Sequence, residues 1–433
     1  MSILNRIPII NSLINDQGFL RYFKNTSWLL SLKALRGFNT LIIGIILARY
    51  LGPNDYGILS YSLAYIFLFI ALAKMGLDSI VVRNLVKQTA KTEAIMGTSF
   101  VLRLVSAILS ISILLVVSSL MHNGIEEKMI SILSVIIFFF SFSVFDFYFQ
   151  SKVMMRLSAY SNFIAVFLSI LIKLCLVFYK APLFYFAFAF VVEYFLLSIC
   201  YLVFYNRVGS SIRNWRFNKD VAKNLIEDSL PLLVSAVFIV IYIKIDQIMI
   251  KSLLDSVEVG KYAAAALLSE GSYFLPMVIA TSLFPAIINA KEHNKQRYIQ
   301  RLGNLYRLMF YLAIIISIGI SVSSNWIIEI FYGPDYSASA DILKIHVWAS
   351  IFVFLGVANS RWLIAENLQI YGTIVTAIGA LVNILLNYIF IPKYGIVGSA
   401  WATVISYFLS GYFLYLLFSK TRSNFILLNA SIF

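Results

Sequence analysis

Charge is what this sequence has least of. Only 12% of its 433 residues are Asp, Glu, Lys or Arg, about half the share of an average soluble chain. Such a chain cannot cover a globule of this size with polar surface, so lipid is the solvent its composition points to. Cysteine is nearly absent: Cys175 and Cys200 both lie inside apolar runs, which excludes a disulfide framework and leaves the redox compartment open. The three histidines, His122, His293 and His346, stand far apart without ligand spacing, and no metal site is expected. No Walker motif, no GxGxxG turn in a strand-to-helix context and no nucleophile with its base occurs. The chain is therefore expected not to be an enzyme, to hold no catalytic residue and no cofactor, and to draw no energy from ATP itself. Near the start, Arg6 precedes only a short apolar run, residues 7–10, too brief for the core of a cleaved signal.

Apolar length is abundant. Hydrophobic residues make up 61% of the chain, and its mean hydropathy is +0.88. Because about 20 apolar residues carry a helix across the hydrocarbon core, twelve spans are predicted: residues 28–50, 56–74, 95–120, 129–150, 157–179, 182–205, 229–252, 260–289, 304–324, 340–364, 369–391 and 396–418. Runs such as ISILLVVSSL and VIIFFFSFSVF lack the alternation of barrel strands, and only a helix satisfies its amides within one segment in lipid. The predicted fold class is an all-α integral membrane protein.

Lys and Arg outnumber acids by 34 to 20, and their placement is informative. Arg6, Arg21 and Lys24 come first, then Lys74, Arg83, Lys87 and Lys91, and later Arg207, Arg213, Arg216, Lys219 and Lys223, all in connections on one side. The other side has few bases and collects Glu126, Glu127, Asp255, Glu258 and Asp335. The positive-inside bias then puts both termini in the cytoplasm. Spread over seven inner segments without a dense patch, these bases give no nucleic-acid site.

A sharp polar corner, ARYLGPNDYG at residues 48–57, separates the first two spans. Gly52-Pro53 stops a helix and Asn54-Asp55 supplies turn chemistry. Setting Gly57 on Gly260 brings Leu51 onto Leu254 and Asp55 onto Glu258, and small-residue helices follow in both places. The offset is close to half the chain, which reads as a parallel internal repeat of six spans plus six, two pseudo-symmetric bundles. The expected division is an N-terminal lobe, 1–205, a cytoplasmic linker, 206–228, and a C-terminal lobe, 229–433. Gly52, Pro53, Gly57, Gly333, Pro334 and Gly395 are read as helix stops or corners.

ARYLGPNDYGILSYSLAY resembles the first-hairpin signature of Wzx-type polysaccharide flippases in the MOP (multidrug, oligosaccharidyl-lipid, polysaccharide) exporter superfamily, which includes the MATE transporters. IFYGPDYSASADILKIHVWAS, residues 330–350, and IPKYGIVGSAWATVISYF, residues 391–408, are similar to later signatures of the same family. The resemblance implies translocation of an undecaprenyl-pyrophosphate-linked oligosaccharide, an O-antigen or capsule repeat unit, from the inner to the outer leaflet of a bacterial inner membrane. It also implies two bundles opening alternately, lipid-linked oligosaccharide and membrane lipids as contacts, and a polysaccharide polymerase and chain-length regulator as partners.

Ionisable groups within spans are the candidate site, since each costs about 2.5–3.5 kcal/mol at the bilayer centre. Lys33, Arg36, Thr40 and Gly44 line one face of span 1, and Ser99, Arg103, Ser106 and Ser110 one face of span 3. Arg36, Arg103, Lys33 and Lys173 are the candidate pyrophosphate ligands, because a guanidinium binds that dianion through a bidentate fork. The related lipid II flippases also carry basic residues in their first helix. Glu193, Asp246 and Glu270 are candidates for ion coupling, by proton or Na⁺, although Glu193 and Lys173 equally suit a buried ion pair. Asp146, Gln150 and Arg361 read as solvated groups near the inner interface. A drug or cation exporter of the same fold, which calls for an acid-dominated cavity, is the rival; a polysaccharide polymerase or ligase calls for a large outer loop.

Overall fold

A computed structural model describes residues 17–122 and 124–432, without the side chains at 17–27, 29–30 and 33–34. Arg6, and the side chains of Arg21, Lys24 and Lys33, therefore lie outside the described residues. Every regular element described is helical: α1 (Gln17–Lys74), α2 (Leu77–Lys87), α3 (Thr92–Met121), α4 (Ile125–Phe140), α5 (Val144–Ser151), α6 (Met155–Phe178), α7 (Leu183–Arg207), α8 (Lys219–Leu253), α9 (Ser256–Glu270), α10 (Phe274–His293), α11 (Lys295–Phe331), α12 (Ser339–His346), α13 (Ala349–Ala365), α14 (Gln369–Gly411) and α15 (Ser419–Ile432). Among the described residues, ten stretches are long and apolar enough to cross a membrane. Two of these, Leu35–Lys87 and Gln369–Leu416, each join two helices at a glycine with non-helical torsions, Gly52 and Gly395. The count of twelve follows.

At Gly52 the chain takes φ 72° and ψ 171°, a region open essentially to glycine alone. Gly333 adopts nearly the same torsions, φ 88° and ψ −175°, ahead of Pro334. Gly52→Ala meets no atom within 4 Å of the new Cβ, so its cost is purely torsional. We expect a loss of about 1–3 kcal/mol, read as a lowered unfolding temperature in detergent.

Two compact units form. One holds the chain up to Asn39, Phe69–His122 and Ser131–Val234; the other holds Thr40–Leu68, a short piece ending at Ile130, and the chain from Ser235 onward. The lobes expected from the sequence are 1–205 and 229–433; packing groups the chain differently at three places, placing residues 40–68 and the short piece ending at Ile130 in the second unit and residues 206–234 in the first. Residues 40–68 join the second unit because α1 crosses α9 at backbone contact, as Gly57 and Gly260 show. A Cβ at Gly57 would fall 1.8 Å from the Ser256 carbonyl oxygen, and one at Gly260 1.9 Å from that of Pro53. The linker joins the first unit through Trp215, whose ring packs on Phe100, Phe145 and Tyr205 and whose Nε1 donates to the Tyr205 hydroxyl at 2.9 Å.

Inside the first unit two local breaks matter. Met75 (φ 53°) and Gly76 (φ 65°) end α1, and α2 then buries Leu77, Ile80, Val81 and Leu85. That register leaves Asp78 in the first turn of α2, where a carboxylate is favoured by the helix dipole. A 3-10 turn at Ser141–Ser143 separates α4 from α5. α5 buries Val144, Phe145, Phe147 and Phe149 and keeps Asp146 and Gln150, one turn apart, on its remaining face.

Candidate functional site

These breaks assemble a polar cavity of about 490 Å³ in the first unit, lined by Arg36, Lys74, Asp78, Asp146, Gln150, Asn162, Tyr194 and Tyr201 among others. Arg36 Nε donates to Asn162 Oδ1 at 2.7 Å, and Nη2 donates to the same oxygen. Asn162 is itself held by its Nδ2, which donates to the Ser158 carbonyl at 2.8 Å and to the Tyr201 hydroxyl at 3.1 Å. The Lys74 ammonium stands 3.9 Å from Asp78 and 4.8 Å from the centre of the Phe140 ring. Gln150 Nε2 donates to Asp146 Oδ2 at 2.9 Å. Asp146 thus belongs to the cavity wall, which corrects its reading as a solvated interface group: the 3-10 turn before α5 rotates it inward.

Arg103 does not line this cavity. It is 1% exposed and works from behind, donating to Asp78 and to Ser143, with its guanidinium 4.7 Å above the Phe147 ring. Asp78 and Ser143 are both cavity residues, so Arg103 positions the wall and offsets the Asp78 charge. Around the space itself two cations, Arg36 and Lys74, stand with two carboxylates, Asp78 and Asp146.

Lys173 and Glu193 find each other at 2.9 Å. Ser169 adds a 2.6 Å hydrogen bond to the carboxylate, and the ammonium sits 3.7 Å from the centre of the Phe190 ring. The pair is a structural tie between α6 and α7. Removing one partner strands a buried charge, at about 3–5 kcal/mol, whereas removing both with apolar replacement is often neutral. Lys173→Met is accordingly expected to lose folded protein and Lys173→Met with Glu193→Leu to recover it, as read by size-exclusion chromatography in detergent.

In the second unit, Asp246 of α8 is 3% exposed. It accepts hydrogen bonds from the Tyr262 hydroxyl at 2.6 Å, Thr403 Oγ1 at 2.7 Å and Asn387 Nδ2 at 2.6 Å. Asn387 Nδ2 also reaches Asn383 Oδ1 at 3.1 Å. The result is one carboxylate of α8 held by neutral donors, a hydroxyl from α9 and a hydroxyl and an amide nitrogen from α14. Glu270 is placed elsewhere, on a small cavity of about 160 Å³ shared with Lys244, Gln247 and Tyr56. Arg361 donates to Thr281 Oγ1 at 2.9 Å.

A family model described as "Polysaccharide biosynthesis protein" matches residues 22–291. The chain belongs to that family. A second model, MatE, matches residues 231–389. A curated relative, the probable low-salt glycan biosynthesis flippase Agl15 of Haloferax volcanii, is 27% identical over 203 residues, covering 47% of this chain and 43% of the relative. The match thus spans less than half of that relative's length. Among solved structures, the lipid II flippase MurJ in an inward closed conformation has a TM-score of 0.73 at 18% identity, covering 93% of this chain and 90% of that one. An inward-facing MATE family multidrug transporter of the MOP superfamily has 0.72 at 14%, covering 90% and 95%. A MOP superfamily transporter from Pyrococcus furiosus, described as having a binding pocket of reverse polarity, has 0.66 at 13%, covering 94% and 96%. These likenesses establish the fold.

Three lining residues of the first-unit cavity, Lys74, Asp78 and Asn162, were not among the residues expected from the sequence. Lys74 read as an inner topology signal, and Asp78 lay in an inner connection. The signal was Met75-Gly76, a helix break just outside span 2 that turns the next helix back onto the bundle.

Proposed function

We propose that the chain is a flippase that carries an undecaprenyl-pyrophosphate-linked oligosaccharide, an O-antigen or capsule repeat unit, from the inner to the outer leaflet of a bacterial inner membrane. The observation that carries this reading is Arg36: a guanidinium at span depth, on a cavity wall, held ready by Asn162. Lys74 adds a second cation, and Arg103 supports the wall. Family membership and the flippase name of the Haloferax relative support the same reading. A drug exporter suits the cavity less well, because its two carboxylates are matched by two cations, Arg36 and Lys74, and the wall is not acid-dominated. A polysaccharide polymerase and a chain-length regulator are the proposed partners, and both termini are proposed to be cytoplasmic. Deleting the gene and assaying the lipid-linked glycan by leaflet tests the reading: retention on the inner leaflet is expected, and an unchanged distribution would refute it.

For coupling, Asp246 is the proposed group among the three acids. Glu193 is locked by Lys173, whereas Asp246 has only neutral partners, the donating hydroxyls of Tyr262 and Thr403 and the Asn387 amide nitrogen, so a single carboxylate there suits a proton or Na⁺ rather than a divalent ion. Asp246→Asn is expected to uncouple transport. In proteoliposomes, the response of transport to an imposed Na⁺ or proton gradient should vanish; a response equal to wild type rules Asp246 out.

A further inference from the structure

The internal repeat also duplicates the cavity. The offset that carries Gly57 onto Gly260 carries Leu32 and Arg36 onto Ser235 and Ile239. Leu32 and Arg36 line the polar cavity of the first unit, and Ser235 and Ile239 line one of about 420 Å³ in the second. Tyr194 and Tyr407 likewise lie on the walls of the two cavities, from the last span of each half.

The chemistry of the two copies has diverged. Where the first has two carboxylates and two cations, the second has no charged residue on its wall. Its exposed surface is mainly apolar, with hydroxyl and amide groups from nine of its eighteen lining residues set among the hydrocarbon. The hydroxyls are held in place by one another: Tyr242 bonds Ser410 at 2.8 Å, and Ser235 bonds Thr373 at 3.0 Å. A hydroxyl offers one donor and two acceptor positions, so the Tyr242–Ser410 pair can accept from an occupant as well as bond internally. Tyr242 and Tyr407 add aromatic surface, their ring centres 4.4 Å apart.

We infer that this second cavity holds uncharged sugar rings of the transported glycan. Sugar hydroxyls donate to the wall hydroxyls, and the C–H faces of the ring lie on the tyrosines. The inference rests on the flippase reading above and adds a division of labour to it, with the anion handled by one unit and the neutral sugars by the other.

The test uses the purified full chain in lipid nanodiscs, titrated with polyprenyl pyrophosphate bearing a short uncharged oligosaccharide and with the same carrier bearing none. The glycosylated carrier is expected to bind about tenfold tighter, a 1.4 kcal/mol difference. Thr376→Trp, which fills the cavity, should abolish that difference and leave the affinity for the bare carrier unchanged. Gln369→Ala, which leaves the cavity open and the helices packed, should reduce the difference part-way, so that misfolding of the bulky variant cannot imitate the result. Equal wild-type affinity for the two carriers overturns the inference, and so does a preference for the glycosylated carrier that neither variant diminishes. Weakened binding of the bare carrier by Thr376→Trp overturns it too, since that outcome puts the prenyl chain in the cavity. The flippase reading is decided separately by the leaflet assay, so the two failures are distinguishable.

Discussion

Arg36→Ala is expected to lower export of the lipid-linked glycan by about 100-fold or more at matched protein levels. Hydrogen bonds to charged groups contribute about 1.5–3 kcal/mol each, and a guanidinium fork on a phosphate makes two in parallel. Their loss at a site shielded from bulk water corresponds to two to four powers of ten. Arg36→Lys keeps the charge and loses the fork, so it should fall between wild type and alanine. Arg103→Ala has a different signature. It empties the space of a side chain that is 1% exposed and packed over the Phe147 ring, and should cost folded protein first, through the cavity left behind. Export normalised to protein level therefore separates the two residues: Arg36→Ala abolishes the normalised rate, whereas Arg103→Ala acts chiefly on abundance. A normal normalised rate in Arg36→Ala would remove the basis for the proposed substrate.

Gly260→Val and Gly57→Val are expected to give no folded protein. In each case the new Cβ meets a backbone carbonyl oxygen, at 1.9 Å for Gly260 and 1.8 Å for Gly57, and backbone cannot turn away as a side chain can. Only separation of α1 from α9 relieves the clash. That separation opens the contact in which small residues let the backbones approach, the main source of helix association in lipid. Overpacking in an ordinary core costs about 1–3 kcal/mol; an obligatory backbone contact exceeds that range. Gly319→Ala supplies the control, because nothing lies within 4 Å of its added Cβ and alanine favours the helix by about 1 kcal/mol. The readout is the yield of monodisperse, protease-resistant protein in detergent. Gly260→Val behaving like Gly319→Ala contradicts the crossing.

That crossing also changes how the glycines read. Gly52, Gly333 and Gly395 are corners, as their spacing from Pro and their flanking turn residues suggested. Gly57 lies inside the helix that follows its corner, and the reason for glycine there is the neighbouring backbone. A sequence states that a side chain is missing, and does not state whether torsion or a neighbour requires the absence.

The same limit applied to the charges. Arg36 and Arg103 looked alike as lone guanidinium groups at helical spacing among hydroxyls. One faces a cavity and the other is enclosed behind its wall, a difference set by Asp78 returning on α2. Lys173 and Glu193 were visible as potential partners, because two opposite charges in adjacent apolar spans have few alternatives. Asp146 was misjudged, since its depth along span 4 said nothing of the turn that rotates α5.

The sequence by itself determined the solvent, the helical class and the count of twelve spans. Those properties follow from local terms, apolar length and backbone hydrogen bonding in lipid, which act within a single segment. Tertiary structure alone decided which cations meet space and which meet carboxylates, and it gathered a charged cavity in one unit and an uncharged one in the other. Those outcomes depend on contacts between residues tens to hundreds of positions apart, where a break of one or two residues turns an entire face.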